Sequence, residues 1–320
     1  MAFEIVRLHE SHVPSAARLV AQGCAALRER VPAVPPRYES PDVWSSRLRR
    51  LLGRGVGVAA FEGGRMVGFL AGYSIGLLRG RPCVLSPEWA HAAEASVSRR
   101  VFEALYPAVA PEWLRLGGEF HVICTLAHDA SALQGWAWAG FGHMVCDALR
   151  PLAPISVSSG GIDVRRVTAT DLEQVLPLAC RLAECLAAPP VYVLDRESED
   201  SATWEADLGD PRTAVWMAVR RGRTVGYLRQ TSATEDACDV IVDEGTTSIT
   251  GVYVVPDARR EGVAAVLLAR AVDWGREQGY VRCSVHFETA NSPAARLWLQ
   301  YFTPVVVSLG RTLDPRLVAG

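Results

Sequence analysis

The amino-acid sequence predicts a mixed α/β (α+β) protein built as two consecutive domains of similar order. Three observations predict it. The chain has 320 residues, which suits two domains of ordinary size, and its 49% hydrophobic content supplies two cores. Short segments recur in the same order in both halves. Residues 151–161 (PLAPISVSSGG), rich in Pro, Ser and Gly, read as a linker between them.

The repeat is worn but ordered. Ile5-Val6-Arg7-Leu8 recurs as Val164-Arg165-Arg166-Val167, and GRMVGFL at 64–70 recurs as GRTVGYL at 222–228. Trp113-x-Arg115 recurs as Trp274-x-Arg276, and Asp129-x-x-Ala132-x-x-x-Trp136 as Asn291-x-x-Ala294-x-x-x-Trp298. The offsets run from 158 to 162 residues. The expected domains are therefore 1–150 and 162–320, joined by 151–161. Each half reads strand, helix, helix, hairpin of two strands, strand, helix, strand, helix, strand. In the second half the expected bounds are 163–168, 171–187, 199–208, 213–220, 223–231, 247–255, 262–277, 281–287, 292–300 and 304–311. Gly63-Gly64 and Arg221-Gly222 carry hairpin-turn chemistry.

The segment from Thr250 to Trp274 is the richest in chemistry. An apolar strand (Val252, Val254, Val255) meets Pro256, and a short polar loop leads to Arg259-Arg260-Glu261-Gly262-Val263-Ala264. Val263, Val266, Leu267, Ala271 and Trp274 then fall at helical spacing, and Gly279 stops the helix. The first N–H groups of a helix have no partner inside it, and with the helix dipole they attract phosphate. Small residues at Gly262 and Ala264 let a pyrophosphate approach the main chain.

Arg259, Gly262 and Ala264 fit the pattern Gln/Arg-x-x-Gly-x-Gly/Ala, and in this respect the segment resembles motif A of the GCN5-related N-acetyltransferases (GNAT). The resemblance covers the second half well and the first half weakly. It implies two tandem GNAT-like domains, each a mixed, mostly antiparallel sheet flanked by helices. It also implies acetyl-CoA as cosubstrate, held by the main chain of Val252, Tyr253 and Val254 and by Arg259, Arg260, Glu261, Gly262, Val263 and Ala264. Asn291, Ala294 and Trp298 complete the coenzyme set, with Trp298 standing where the family usually has Tyr.

At an offset of 161, Ser98-Arg99-Arg100-Val101-Phe102-Glu103 faces the Arg259–Ala264 loop. On that alignment Val101 replaces the glycine and Glu103 the small residue, so the first half is expected not to bind coenzyme A. Gly262→Glu is then expected to abolish binding and Val101→Glu to leave it unchanged.

Acetyl transfer needs a neutral amine, an oxyanion donor and a leaving thiolate. An alkyl ammonium of pKa ~10.4 costs roughly 4–5 kcal/mol to deprotonate at neutral pH. The oxyanion donor is expected from a backbone N–H where the central strand bulges, at Gly251 or Val252. The thiolate, with a pKa of ~8.5, leaves with little assistance, and Tyr301 is the candidate donor in place of the missing Tyr. His286 and Glu288, two apart on one strand, are candidate bases. Asp243 and Glu244, just before the Val252–Val254 strand, are candidates for the acceptor side. A core role for Tyr301, a structural role for His286 and a solvated turn for Asp243 and Glu244 stay open at this point. No Cys or Ser pairs with a base, so direct transfer is expected, with Cys283 in the core.

The acidic runs Asp195, Glu197, Glu199, Asp200, Glu205, Asp207, Asp210 and Glu235, Asp236, Asp239, Asp243, Glu244 favour a small cationic primary amine as acceptor, or are an ordinary solvated face. Two other functions stay open: a non-catalytic acyl-CoA-binding sensor or scaffold, and a protein amino-terminal acetyltransferase. His121, Cys124, His128 and Asp129 lack paired ligand spacing, so no metal is expected. The formal net charge of −2 predicts no general attraction to nucleic acid or anionic lipid. All fixed cations are Arg; the chain has no Lys to serve as its own acceptor. Eight scattered cysteines, no apolar leader and no long apolar run lead to an expected cytoplasmic protein with free thiols. The oligomeric state is open.

Overall fold

The structure, a computed structural model, describes residues 3–194, 201–232 and 237–317. The chain divides into two compact units. The first comprises residues 1–147, 238–240 and 303–320; the second comprises 148–237 and 241–302.

The first unit opens with β1 (Glu4–Arg7), α1 (Val13–Arg30), α2 (Pro41–Leu52), β2 (Val56–Glu62) and β3 (Arg65–Leu78). Then come β4 (Arg81–Ser86), β5 (His91–Ala93), α3 (Ser98–Arg115), β6 (Phe120–Leu126), α4 (Ala130–Trp138) and β7 (Gly142–Pro151), within which the division falls. α1 buries Val13, Ala17, Val20, Cys24 and Leu27, the spacing of one helical face. β2 and β3 join through Gly63-Gly64, both at positive φ (58° and 77°), as the turn chemistry requires.

The second unit runs β8 (Ile162–Arg166), α5 (Leu172–Ala187), α6 (Ser201–Gly209), β9 (Ala214–Arg220), β10 (Arg223–Ser232), β11 (Thr246–Val254), α7 (Val263–Glu277), β12 (Arg282–Glu288) and α8 (Ser292–Tyr301). Its strand order is β12-β11-β10-β9-β8, antiparallel except for the parallel β11/β12 pair. Under α5 and α6 the core gathers Val175, Trp204, Val215, Met217, Tyr227 and Tyr253. Ahead of α5, Asp171 accepts a fork of two bonds from Arg165 (2.7 and 2.6 Å) and one from the Thr168 amide (2.9 Å). These hold its carboxyl far below the usual carboxylate range, the Arg165 bonds being the largest cause.

The ten elements expected of the second half all appear, each within two residues of its expected bounds; residues 199 and 200, the expected start of α6, lie outside the described residues. The mixed, mostly antiparallel architecture of each half is also as expected.

The compact units depart from the expected division in three places. The last strand, β13 (Thr303–Thr312), pairs antiparallel with β6 from Val306↔Leu126 to Thr312↔Phe120, and so belongs to the first unit. Residues 238–240 also pack there, where Glu88 accepts the Val240 amide (3.0 Å). Residues 151–161 do not all behave as a free linker: Leu152 is buried, its amide bonds Val281 (3.2 Å), and its side chain lies against Gly275.

Truncation after Phe302 is expected to leave β6 as an edge strand, with β4 still paired on its other side. Hydrogen exchange should then rise at those amides of residues 120–126 that bond β13, while the amides that bond β4 and those of β9–β11 keep their protection. Unchanged protection of β6 would contradict the exchange of this strand.

Candidate functional site

β11 and β12 stay paired only from Thr246↔Arg282 to Ile249↔Val285. β11 then continues for five residues and β12 for three without a shared ladder. The parting begins at a bulge: Arg229 of β10 faces Gly251 and Gln230 faces Ile249, leaving Thr250 as the extra residue. A bulge bends its strand and raises its twist, which steers β11 away from β12. The expectation of a bulge at Gly251 or Val252 is thus met one to two residues earlier.

The orientation of the freed backbone follows from one bond. The Val255 amide donates to Val225 of β10 (3.0 Å). By the two-residue alternation of a strand, the amides and carbonyls of Val252 and Val254 face the opposite, opened side. The Val254 carbonyl accepts from Arg259 Nε (2.9 Å), as that direction requires.

The loop after β11 ends in two left-handed residues, Arg260 (φ 64°) and Gly262 (φ 85°), the latter capping α7. The first helical bond runs from the Val266 amide to Gly262 (3.0 Å), so the Val263, Ala264 and Ala265 amides have no helical acceptor. A Cβ placed on Gly262 would meet no atom within 4 Å, so the space before these amides is open. The β9–β10 hairpin braces the loop at both ends. Arg223 forks onto Asp257 (2.7 and 2.6 Å), and Arg220 pairs with Glu261. Glu261 is thereby a brace, and Val263 is a core residue (1% exposed). Tyr253 is likewise a core ring, with Arg259 lying over it at 5.5 Å.

The first unit treats the same parting differently. β4 and β6 pair in parallel from Cys83↔Phe120 to Ser86↔Ile123, and after Pro87–Ala90 the chain resumes as β5, paired with β3. His91 fills the parting, bonded to Ser86 Oγ (3.0 Å) and Thr125 Oγ1 (3.2 Å). Phe102 and Trp136 pack against each other at 4.8 Å, and each presents an edge contact to His91. α4 docks on α3, where a Cβ placed on Gly135 would lie 3.5 Å from the Arg99 backbone and Gln134 bonds Arg99 (2.9 Å); α7 and α8 barely touch.

This arrangement corrects the alignment of the two loops. Val101 packs on Gly68, and Val263 packs on Gly226, the matching glycine of the repeat. Val101 therefore corresponds to Val263, an offset of 162, and Phe102 rather than Glu103 takes the Ala264 place. α3 also begins three residues before Val101, so a helical turn replaces the left-handed loop. Val101 is fully buried, and Val101→Glu would bury a carboxylate instead of leaving the molecule unchanged.

Asn291 and Ala294 meet at the start of α8, where the Asn291 side-chain Oδ1 accepts the Ala294 amide (3.3 Å). Asp129 caps α4 in the same way through Ala132 (2.9 Å), so the repeated Asp/Asn-x-x-Ala reads first as a helix cap. Trp298 is buried, edge-on to Phe302 at 5.6 Å. His286 is exposed on β12, beyond the last residue paired with β11; Glu288 and Tyr301 are half-buried. Asp243 accepts from Arg282 (2.6 Å) and from the Gly245 amide (3.0 Å). Asp243 and Glu244 precede the paired end of β11, away from the parting.

The acidic runs are heavily offset by arginine. Asp207 lies 3.4 Å from Arg229, Asp210 bonds Arg212, and Asp239 pairs with Arg47. Asp195, Glu197, Glu199, Asp200, Glu235 and Asp236 lie outside the described residues. Cys283 is buried, and that burial pushes its thiol up to about 12. Among the described residues no group of three or more His, Cys, Asp or Glu is placed to hold a metal ion, and no helix is long and apolar enough to cross a membrane. The hairpin braces and the closed cleft of the first unit escaped sequence reasoning. Only the braces had a signal, the Arg-x-x-Arg at 220–223.

Comparison with protein families matches residues 181–302 to the acetyltransferase (GNAT) family. That segment, which holds the parted strands and the Gly262 loop, is a GNAT segment. The whole chain shares its fold with the "GCN5-related N-Acetyltransferase from Sphaerobacter thermophilus": TM-score 0.54, 17% identity, 97% of this chain and 95% of that one covered. The aminoglycoside N-acetyltransferase AAC(6')-Iy, solved with a CoA-containing bisubstrate analogue, aligns over 44% of this chain and 88% of its own (TM-score 0.36, 21% identity). A ribosomal-protein-alanine N-acetyltransferase from Brucella melitensis biovar Abortus 2308 aligns over 43% and 89% (TM-score 0.34, 19% identity). At these identities the likeness is one of fold. Comparison with curated proteins finds no significant match.

The filled cleft of the first unit has an acid signature. Burial pushes His91 down to about 3, against a backbone hydrogen bond at Pro87 that raises it. Between about pH 6.5 and 3 the unfolded chain binds a proton that folded His91 refuses, so stability falls as pH drops through that window. His91→Gln is expected to reduce the slope of unfolding free energy there by about 1.4 kcal/mol per pH unit, as read by urea melts at stepped pH. An unchanged slope would contradict the neutral, buried imidazole.

Proposed function

We propose that the second unit binds acetyl-CoA and transfers its acetyl group directly to a primary amine. The observation that carries this reading is the opened edge of β11 leading into the bare amides of Val263–Ala265. These amides, with Gly262 and Ala264, suit a pyrophosphate. The outward amides and carbonyls of Val252 and Val254 suit a chain bearing secondary amides, as pantetheine does. The fold agrees with a transferase of this kind.

Among the described residues, Thr250 at the bulge has a buried hydroxyl without a bonding partner, and its neighbourhood is the natural place for the reacting carbonyl. His286 and Glu288, on β12 beyond its pairing with β11, are the proposed bases, and Tyr301 the proposed thiol-side donor. A small cationic amine is the proposed acceptor. We place the protein in the cytoplasm, with residues 1–150 as a supporting half that does not hold coenzyme.

A second reading has its own observation. Trp298 stands in the place of the expected Tyr and is packed edge-on against Phe302, where an indole supplies no useful acid. The protein then holds acyl-CoA without transferring the acyl group.

Both readings require the cradle. Ala264→Glu and Gly262→Glu are each expected to weaken acetyl-CoA binding at least about a hundredfold by calorimetry, from a carboxylate set against phosphate. Arg100→Glu, in the corresponding turn of the first unit, should change nothing. Equal losses in both units, or none, would overturn the assignment. Free-thiol release with a panel of polyamines, aminoglycosides and peptides separates the two readings: release supports transfer, and binding without release supports the acyl-CoA holder.

A further inference from the structure

The first unit contains a cavity of about 350 Å³ lined by Arg47, Arg50, Arg54, Tyr73, Trp89 and Asp239. Arg47 and Arg50 lie one turn apart on α2, and Arg54 follows its C-terminal end. Asp239 pairs with Arg47 and also accepts the Trp89 indole N–H. It therefore offsets one guanidinium and fixes the Trp89 ring as a wall. Arg54 stacks over the Tyr73 ring at 3.9 Å, which holds it toward the cavity. Arg50 and Arg54 are exposed and have no carboxylate partner among the described residues. Glu88, which accepts the amide of Val240 next to Asp239, is buried. Burial and then Asp239 push its carboxyl up to about 8, so it is largely uncharged at neutral pH.

We infer that this cavity is a binding site for a small organic dianion, a phosphate monoester or a dicarboxylate, with a flat or apolar part lying against Trp89. Two uncompensated guanidiniums in a concave site match two negative charges. Their planar forks suit oxyanions with paired oxygens, a geometry an ammonium does not offer. The aromatic walls exclude water on one side and strengthen these bonds. The site is independent of the Gly262 cradle: all six lining residues belong to the first unit.

Calorimetry on the full chain with adenosine monophosphate, inorganic phosphate and succinate tests this, with neutral adenosine as control. At least one dianion is expected to bind with a Kd near or below about 1 mM. The phosphate and succinate arms separate the two chemistries. Arg50→Gln/Arg54→Gln should weaken binding at least about tenfold, the cost of one charged hydrogen bond or more. Arg49→Gln, on the same helix but paired with Glu10, should not. Ala264→Glu, which disables the other cradle, should leave this affinity intact. No heat from any dianion up to about 10 mM, unchanged affinity in the double variant, or loss in Ala264→Glu alone would each overturn the proposal. Should the double variant misfold, phenylglyoxal labelling of the native protein decides. Saturating dianion should slow modification of Arg50 and Arg54 and not of Arg49, and equal rates would overturn the site.

Discussion

The second unit depends on two neighbouring parallel strands that cease to bond. β11 and β12 share four pairs and then separate, which leaves the inner edge of β11 with backbone groups that must find partners. A sheet normally closes such a gap. Here the extra residue at Thr250 turns β11 aside, Pro256 ends it, and two arginines of the β9–β10 hairpin hold the loop that follows. From Val252 and Val254 the chain runs through the Gly262 loop into α7, whose first three amides have no helical acceptor.

The first unit shows what happens when the same plan is not kept open. Its parallel pair also stops after four residues, but His91, Phe102 and Trp136 occupy the gap. A bulky ring at the Ala264 position and an added helical turn remove both the room and the left-handed loop. Repulsion from a carboxylate, the sequence-based explanation, is not the cause: Glu103 is exposed and paired with Arg99. The gap there is closed by volume, through the packing of His91, Phe102 and Trp136.

The second half was readable because its signals are local. Turn glycines, helical spacing and the small residues of the loop each act within a few positions, and all ten elements stand where they were expected. What could not be read depends on distant partners. Nothing in residues 303–312 says that they pair with 120–126 rather than with their own half. The one-residue error in aligning the loops arose because valines at 101 and 263 look alike, and only their contacts with Gly68 and Gly226 set the register. Asp243 reads as an acid near the reaction, yet Arg282, 39 residues later, claims it. Arginines are anonymous in sequence, and only packing shows which carboxylates each one meets.

The strand exchange also orders the life of the chain at its birth. β13 leaves the ribosome after all the other strands described here, and it is the neighbour of β6 in the unit made first. The amino-terminal half therefore waits, one ladder short, while the half translated after it already has every strand of its own sheet. The emergence of β13 is the event that lets the older half finish folding.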